Sequence, residues 1–364
     1  MRIVSLTAGS SRSAAASSNG HAWVWGNVGR RMPAGPDGQP ASLCGPSAVE
    51  IGHARYAQPA PQRLRPLDEV SAVADASGCL FALGSDARLM ACGLVAREDG
   101  VIPAVPVAGL SRPVRSVAAS DTATAVLLAN GDIVTWGFNA FGQLGREAPL
   151  RSAAPAKVLG LPPGSAVVAG SNHFLALDRL GRVWSWGANA SGQLGRGDLS
   201  SSRLPRQVDL PSPITAIAAG DTHSLAIDDR GRAWGWGSHH KGQLAGAPES
   251  GVKHHRRPVA LALGFAVAAL DGGMHYSVAL SREGDVFTWG WNGMGQLAAE
   301  GVAATAKPIR VAGIRSADKL VAGPGHVLAA RGSALFAWGD NRTGACGRSP
   351  DTPVMHSAVQ IPIA

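Results

Sequence analysis

No apolar run in this 364-residue chain approaches the length of a membrane-spanning helix, and its opening, MRIVSLTAGSSRSAAASSNG, holds no apolar core of the kind a secretory leader requires. The expectation is a cytoplasmic protein without a membrane partner. Cysteine is scarce too. Cys44, Cys79, Cys92 and Cys346 form no CxxC pair and no His/Cys ligand spacing, so they read as free thiols rather than as a disulfide framework or a zinc site. Charged residues make up only 16% of the chain, and the net excess of +8 is scattered, with no polybasic tail. Such a balance suits an acidic protein partner and disfavours nucleic acid. Catalytic signatures are missing as well: there is no Gly-x-Ser-x-Gly elbow, no phosphate loop and no dinucleotide fingerprint. The acidic pairs Asp68-Glu69, Glu98-Asp99 and Asp228-Asp229 fall at expected turns, where solvated charge is ordinary. No enzyme activity, cofactor or metal is therefore expected.

What the chain does hold is turn-formers and repetition. With 45% hydrophobic residues, 47 Gly and 24 Pro, it favours many short strands over long helices, and its abundant Ala lacks helical spacing. A Trp-Gly pair recurs at Trp25-Gly26, Trp136-Gly137, Trp186-Gly187, Trp236-Gly237, Trp289-Gly290 and Trp338-Gly339, with Cys92-Gly93 as an eroded copy. The intervals are 67, 44, 50, 50, 53 and 49 residues. Upstream of each pair lie an Ala- and Val-rich run, a Gly turn, a second apolar run and a tight turn such as Asp229-Arg230-Gly231. Pieces of the form Pro-x-x-Val (155 to 158, 205 to 208, 308 to 311) add a fourth strand. Four strands in about 50 residues is the arithmetic of a propeller blade. The expected fold is all-β, one domain over 1–364, a seven-bladed β-propeller with four-stranded blades. The C-terminal 357 to 363 resembles a fourth strand with no Trp segment after it, so the ring is expected to close by pairing it with residues 2 to 26 in one shared blade, which would remove an exposed edge.

After Trp-Gly the chain continues FNAFGQLG, ANASGQLG, SHHKGQLA, WNGMGQLA and DNRTGACG, and a Gly-x-x-His-Ser element precedes several pairs. Together these resemble the RCC1 (regulator of chromosome condensation) repeat family. WD40 repeats are shorter and end in Trp-Asp, and kelch repeats carry a Gly-Gly doublet. The resemblance implies a seven-bladed propeller and, for function, a non-catalytic protein–protein interaction scaffold. Two alternatives come with it. The activity that names the family is guanine-nucleotide exchange on a small GTPase, and a bacterial β-lactamase inhibitor that resembles these propellers suggests an inhibitor or secreted effector. The plant ultraviolet-B photoreceptor also resembles this family, but no Trp stands within the Gly-x-x-His elements here. The repeated His173, His223 and His326, with Tyr276 in their place in repeat six, read as structural elements. Asn189-Ala-Ser191 and Asn341-Arg-Thr343 fall in the repeat loop and read as chance glycosylation patterns.

Individuality lies where the repeat is broken. The stretch of about 27–66, rich in Pro, Gly, Ala and Ser, reads as a long loop that either carries function or is tolerated, and its Arg30 and Arg31 join the partner-binding candidates. A basic connection offers His239, His240, Lys241, His254, His255, Arg256 and Arg257, read either as a patch for an acidic partner or as a solvated loop. Phe138, Phe141, Trp291 and Met294 replace small or polar residues of other repeats and read either as interface anchors or as local packing. A monomeric propeller with another protein as its partner is expected.

Overall fold

The computed structural model describes residues 1–27, 57–64, 67, 69–76, 79–92, 104–120, 122–246 and 251–363. These form seven antiparallel sheets of four strands each, and no helix among the described residues is long and apolar enough to cross a membrane. In blade five the strands, from the hub outward, are Ile214–Ala219, His223–Asp228, Ala233–Ser238 and His254–Ala260. All six residues of the second strand are buried, because Leu225 and Ile227 pack with Ala279 and Trp289 of blade six while Ala226 packs with Leu175 and Leu177 of blade four. A strand covered on both faces has no solvent side, so HSLAID shows no apolar–polar alternation, and its polar members His223, Ser224 and Asp228 are buried with hydrogen-bond partners. Each Leu or Ile so buried contributes roughly 2 kcal/mol.

The fourth strands are outer edges. Arg151–Lys157, Ser202–Gln207, His254–Ala260 and Ala304–Arg310 carry Pro155, Pro205, Pro258 and Pro308, together with exposed Arg and Lys. Proline withholds a donor and charge resists stacking, so these edges do not recruit another strand. Each fourth strand is followed by an apolar residue whose N–H donates to the start of the third strand: Val158 to Ile133 O, Val208 to Val183 O, Leu261 to Ala233 O and Val311 to Val286 O.

Two sequence expectations need correction. The termini do not share a blade. Val354–Ile361 pairs with Ala334–Asp340 as the fourth strand of blade seven, while blade one takes its fourth strand from Ala57–Arg63, inside the stretch expected to be a loop. The signal was present in Pro61 to Leu64, a Pro-x-x-Leu piece whose Leu64 is buried and donates its N–H to Ala22 O at 2.8 Å, the bond made by the fourth-strand residues above. Blade one is complete without the tail, so the ring closes by packing faces: Ile3, Ala15 and Trp25 meet Leu328, Ala330 and Ala337 in one buried cluster. The second correction concerns cysteine. Cys92 and Cys346 are free and buried, but Cys79 is disulfide-bonded, a pairing that spacing alone does not reveal.

Polar residues of the repeat tie blade to blade. Trp186, Trp236, Trp289 and Trp338 donate Nε1–H to the carbonyls of Gln143, Gln193, Gln243 and Gln296 in the preceding blade at 2.8–3.0 Å. Ser224 and Ser277 donate their hydroxyls to the same Gln193 and Gln243 carbonyls. Those hydroxyl protons being committed, His173 and His223 donate Nε2–H to Ser224 and Ser277 at 2.9 Å. The repeated histidines are thus structural, as the sequence indicated. Closure uses the same set: Ser13 and Trp25 donate to Ala345 O, and His326 Nε2 meets Ser13 Oγ at 2.7 Å.

Candidate functional site

One end of the ring gathers two sets of loops. The turns between first and second strands reach the central channel, where Gly9, Ser120, Ser171, Asp221, Gly273 and Pro324 line a cavity of about 280 Å³. The loops after Trp-Gly leave beside those turns, because Phe138, Ala188, Ser238, Trp291 and Asp340 each donate N–H to the turn carbonyl of the same blade (Thr122, Asn172, Thr222, His275 and Gly325) at 2.8–2.9 Å.

A shared scaffold shapes these loops. Asn139, Asn189, Asn292 and Asn341 are buried; each accepts the N–H five residues on and donates Nδ2–H to carbonyls further along the loop. Asn189 and Asn341 are therefore consumed inside the fold, away from any glycosylating enzyme. In blade five His239 replaces this Asn and accepts the Leu244 N–H on Nδ1 at 3.2 Å. Gln143, Gln193, Gln243 and Gln296 brace the loop by accepting the N–H two residues back. With the loop backbone fixed, the variable positions project from it.

The basic connection and part of the apolar set converge on blades five and six. His254 and His255 pair in register with Ser238 and Gly237, which brings the His255 ring to 5.5 Å from His239. His240 is anchored by a 2.7 Å hydrogen bond between its Nδ1 and Ser238 Oγ and stands edge to face against His275, ring centres 4.9 Å apart. His275 in turn meets the half-buried Trp291 at 6.1 Å, again edge to face. Met294, on the same loop as Trp291, takes the Arg342 guanidinium on its sulfur at 3.6 Å. His275 is the residue that sequence reasoning missed. Its signal was the shifted His in GGMHYS, where Tyr276 occupies the repeated His position and donates its hydroxyl to Gly323 O and His326 O.

Other candidates lie elsewhere. The Arg257 guanidinium reaches across to Gly197 of blade four, whose N–H is held by Arg256 O. Phe138 and Phe141 stand on blade three, with two blades between them and Trp291 on blade six; Arg151 covers the Phe138 ring at 5.5 Å, and Phe141 is 45% exposed. The four apolar candidates thus form two surfaces. Arg30 and Arg31 lie outside the described residues.

Burial, reinforced by positive neighbours, holds the loop histidines below their ordinary pKa. For His239 the neighbours are His255 and His240; for His240 they are His275, Lys241, His254 and Lys253; for His275 the neighbour is Lys241. His173 and His223, fully buried, are pushed down to about 3 and His326 to about 4. In the channel, burial raises Asp271 to about 7 despite N–H bonds from Ala322 and Gly272. Arg12 pairs with Asp75, and Ser171 donates to Asp221 at 2.6 Å. Among the described residues no three His, Cys, Asp or Glu side chains are placed to hold a metal ion.

The family model for the RCC1-like domain matches residues 68–362. Among solved structures, human WBSCR16 is similar with a TM-score of 0.78 at 23% identity, covering 94% of both chains. Yeast RCC1 (Prp20), crystallised bound to Kap60, gives 0.71 at 21% identity over 88% of this chain and 78% of that one. Prp20p of Saccharomyces cerevisiae, whose binding to Gsp1p and histones is described, gives 0.68 at 21% identity over 88% and 80%. With the repeat, the seven blades and the blade-to-blade bonding all in place over the matched span, the chain belongs to the RCC1-like domain family.

Proposed function

We propose that this protein is a non-catalytic scaffold that binds another protein through the loop end of its ring. One observation carries the reading. The polar residues that repeat (His, Ser, Gln, Asn and the indole N–H of Trp) are consumed in holding blades and loops together, whereas the residues that break the repeat at this end are aromatic, Met or His and remain partly accessible. Aromatic and sulfur side chains on a rigid backbone are efficient recognition groups, because little entropy is lost on binding. Structural neighbours described as binding Kap60, Gsp1p or histones support the use of this fold for protein recognition.

The test is affinity capture from the native host with wild type and with the Phe138→Ala, Phe141→Ala, Trp291→Ala, Met294→Ala quadruple variant. The variant is expected to lose the main partner while keeping its melting temperature within a few degrees, since all four side chains lie in loops or at strand ends. Retention of the same partners by the folded variant overturns the assignment of this end as the recognition surface.

A further inference from the structure

The contact series His240, His275 and Trp291 runs from blade five to blade six, and among the described residues every titratable group acting on its imidazoles is basic. His254, Lys241 and Lys253 face His240; Lys241 faces His275; His255 and His240 face His239. Among the described residues no carboxylate figures in these influences. The Arg342 guanidinium beside Met294 is already neutralised by Asp340 at 2.6 and 2.9 Å. Two further facts bear on the imidazoles. His275 Nδ1 is buried with no well-formed hydrogen bond, the Met274 backbone being a polar neighbour, and His240 commits Nδ1 to Ser238 Oγ, which leaves Nε2 for another partner. Imidazoles in edge contact, with no acid among the described residues around them, repel one another as they protonate, so an anion is the group that would relieve them. Trp291 at the end of the series supplies an apolar wall for an aliphatic or aromatic side chain beside that anion.

We propose that this surface of blades five and six binds an acidic polypeptide segment, its carboxylates received by His240, His275, Lys241 and Lys253 and a neighbouring apolar side chain laid against Trp291. This rests on the protein-binding reading above and names the chemistry of the partner. Because the imidazoles are neutral near pH 7 and gain charge on acidification, carboxylate binding and protonation reinforce each other. The affinity for the segment rises as pH falls, down to the point where the carboxylates themselves protonate near pH 4.

The probe is a fluorescein-labelled oligo-aspartate peptide containing one Leu, with an oligo-asparagine peptide of the same length as its neutral counterpart, read by fluorescence anisotropy. Wild type is expected to bind the acidic peptide about tenfold more tightly at about pH 5.5 than at about pH 7.5, which requires roughly 1.4 kcal/mol of coupling. The His240→Gln/His275→Gln variant, its fold verified by thermal melting, is expected to reduce that ratio below about twofold. Lys241→Ala weakens binding at both pH values while keeping the ratio, and His356→Gln, on the outer strand of blade seven, changes neither. The proposal is overturned if the acidic peptide binds no better than the neutral one, or if the double variant keeps the wild-type pH ratio. Either result leaves the capture experiment intact: loss of the native partner in the quadruple-alanine variant together with failure of the acidic peptide means a protein-binding surface of different chemistry.

Discussion

Gly237 shows why the repeat keeps its Trp-Gly pair. Its φ is +96°, and a Cβ there would lie 2.6 Å from Thr222 O and 2.8 Å from the His223 Cα. The third strand bulges here to release its loop toward the recognition end, with the register slipping between Gly235 and Gly237. Both steric clash and backbone strain oppose any side chain, so Gly237→Ala is expected to cost roughly 2 kcal/mol or more, read as a fall in the urea midpoint; a change within experimental error would refute the argument. The buried histidines make a second prediction. His173 and His223 titrate at about 3 in the folded chain but near 6.5 when unfolded. Between those values the unfolded state binds more protons, so the stability present above about pH 6.5 is lost progressively as pH falls toward about 3. Each buried His contributes up to about 1.4 kcal/mol per pH unit in that window. The His223→Gln variant is expected to start less stable at pH 7 and to lose stability less steeply on acidification; a profile parallel to wild type would count against this origin.

At the scale of elements, the turn between second and third strands rests on one carboxylate. Asp228 accepts the N–H groups of Arg230 and Arg232 and the Arg232 guanidinium, and its other oxygen also takes Trp234 Nε1–H; Asp178 does the same with Leu180, Arg182 and Trp184. Burial raises the pKa of both carboxyls, but these hydrogen bonds outweigh it and hold them below the ordinary carboxylate value. A depressed folded pKa means that the contribution is complete above about pH 4 and vanishes as pH falls through the folded value. Asp228→Asn is expected to destabilise at pH 7 by about 1–3 kcal/mol and to close on wild type as pH falls below the ordinary carboxylate value, as followed by chemical denaturation. In the sequence Asp228-Asp229 reads as solvated turn charge, which describes the exposed Asp229 and misses the buried Asp228. Strand identity was legible because every blade repeats it. The histidine–tryptophan site was legible only as two separate deviations, since the residue joining them, His275, belongs to a turn where Tyr276 had taken over the repeated position.

For the whole molecule, the question is what holds the ring shut. The sequence showed a tail resembling a fourth strand, and a closing blade shared by both termini followed naturally. The weaker Pro-x-x-Leu signal at Pro61 to Leu64, set apart from its blade by a long insertion, is the one that supplies blade one with its own fourth strand. The chain thus begins on the hub strand of one blade and ends on the rim strand of its neighbour. Closure depends on the ordinary interface, repeated between residues more than 300 positions apart: Ser13 with His326 and Ala345, Thr343 with the Ser11 carbonyl, and Arg2 with Asp318. Contacts of such separation form only after the intervening blades have restricted the chain, because loop-closure entropy opposes them until then. Ser13→Ala and Ser224→Ala remove equivalent bonds, each leaving a His Nε2–H and a carbonyl short of a partner, and are expected to cost a similar 1–3 kcal/mol or so. Their kinetics should separate them. Ser224 joins sequence-adjacent blades, so its loss is shared between slower folding and faster unfolding, while the Ser13 change appears almost wholly in the unfolding rate. Stopped-flow folding and unfolding of the two variants checks this: a Ser13→Ala variant that slows folding as much as Ser224→Ala would mean that the ring closes before its blades are built.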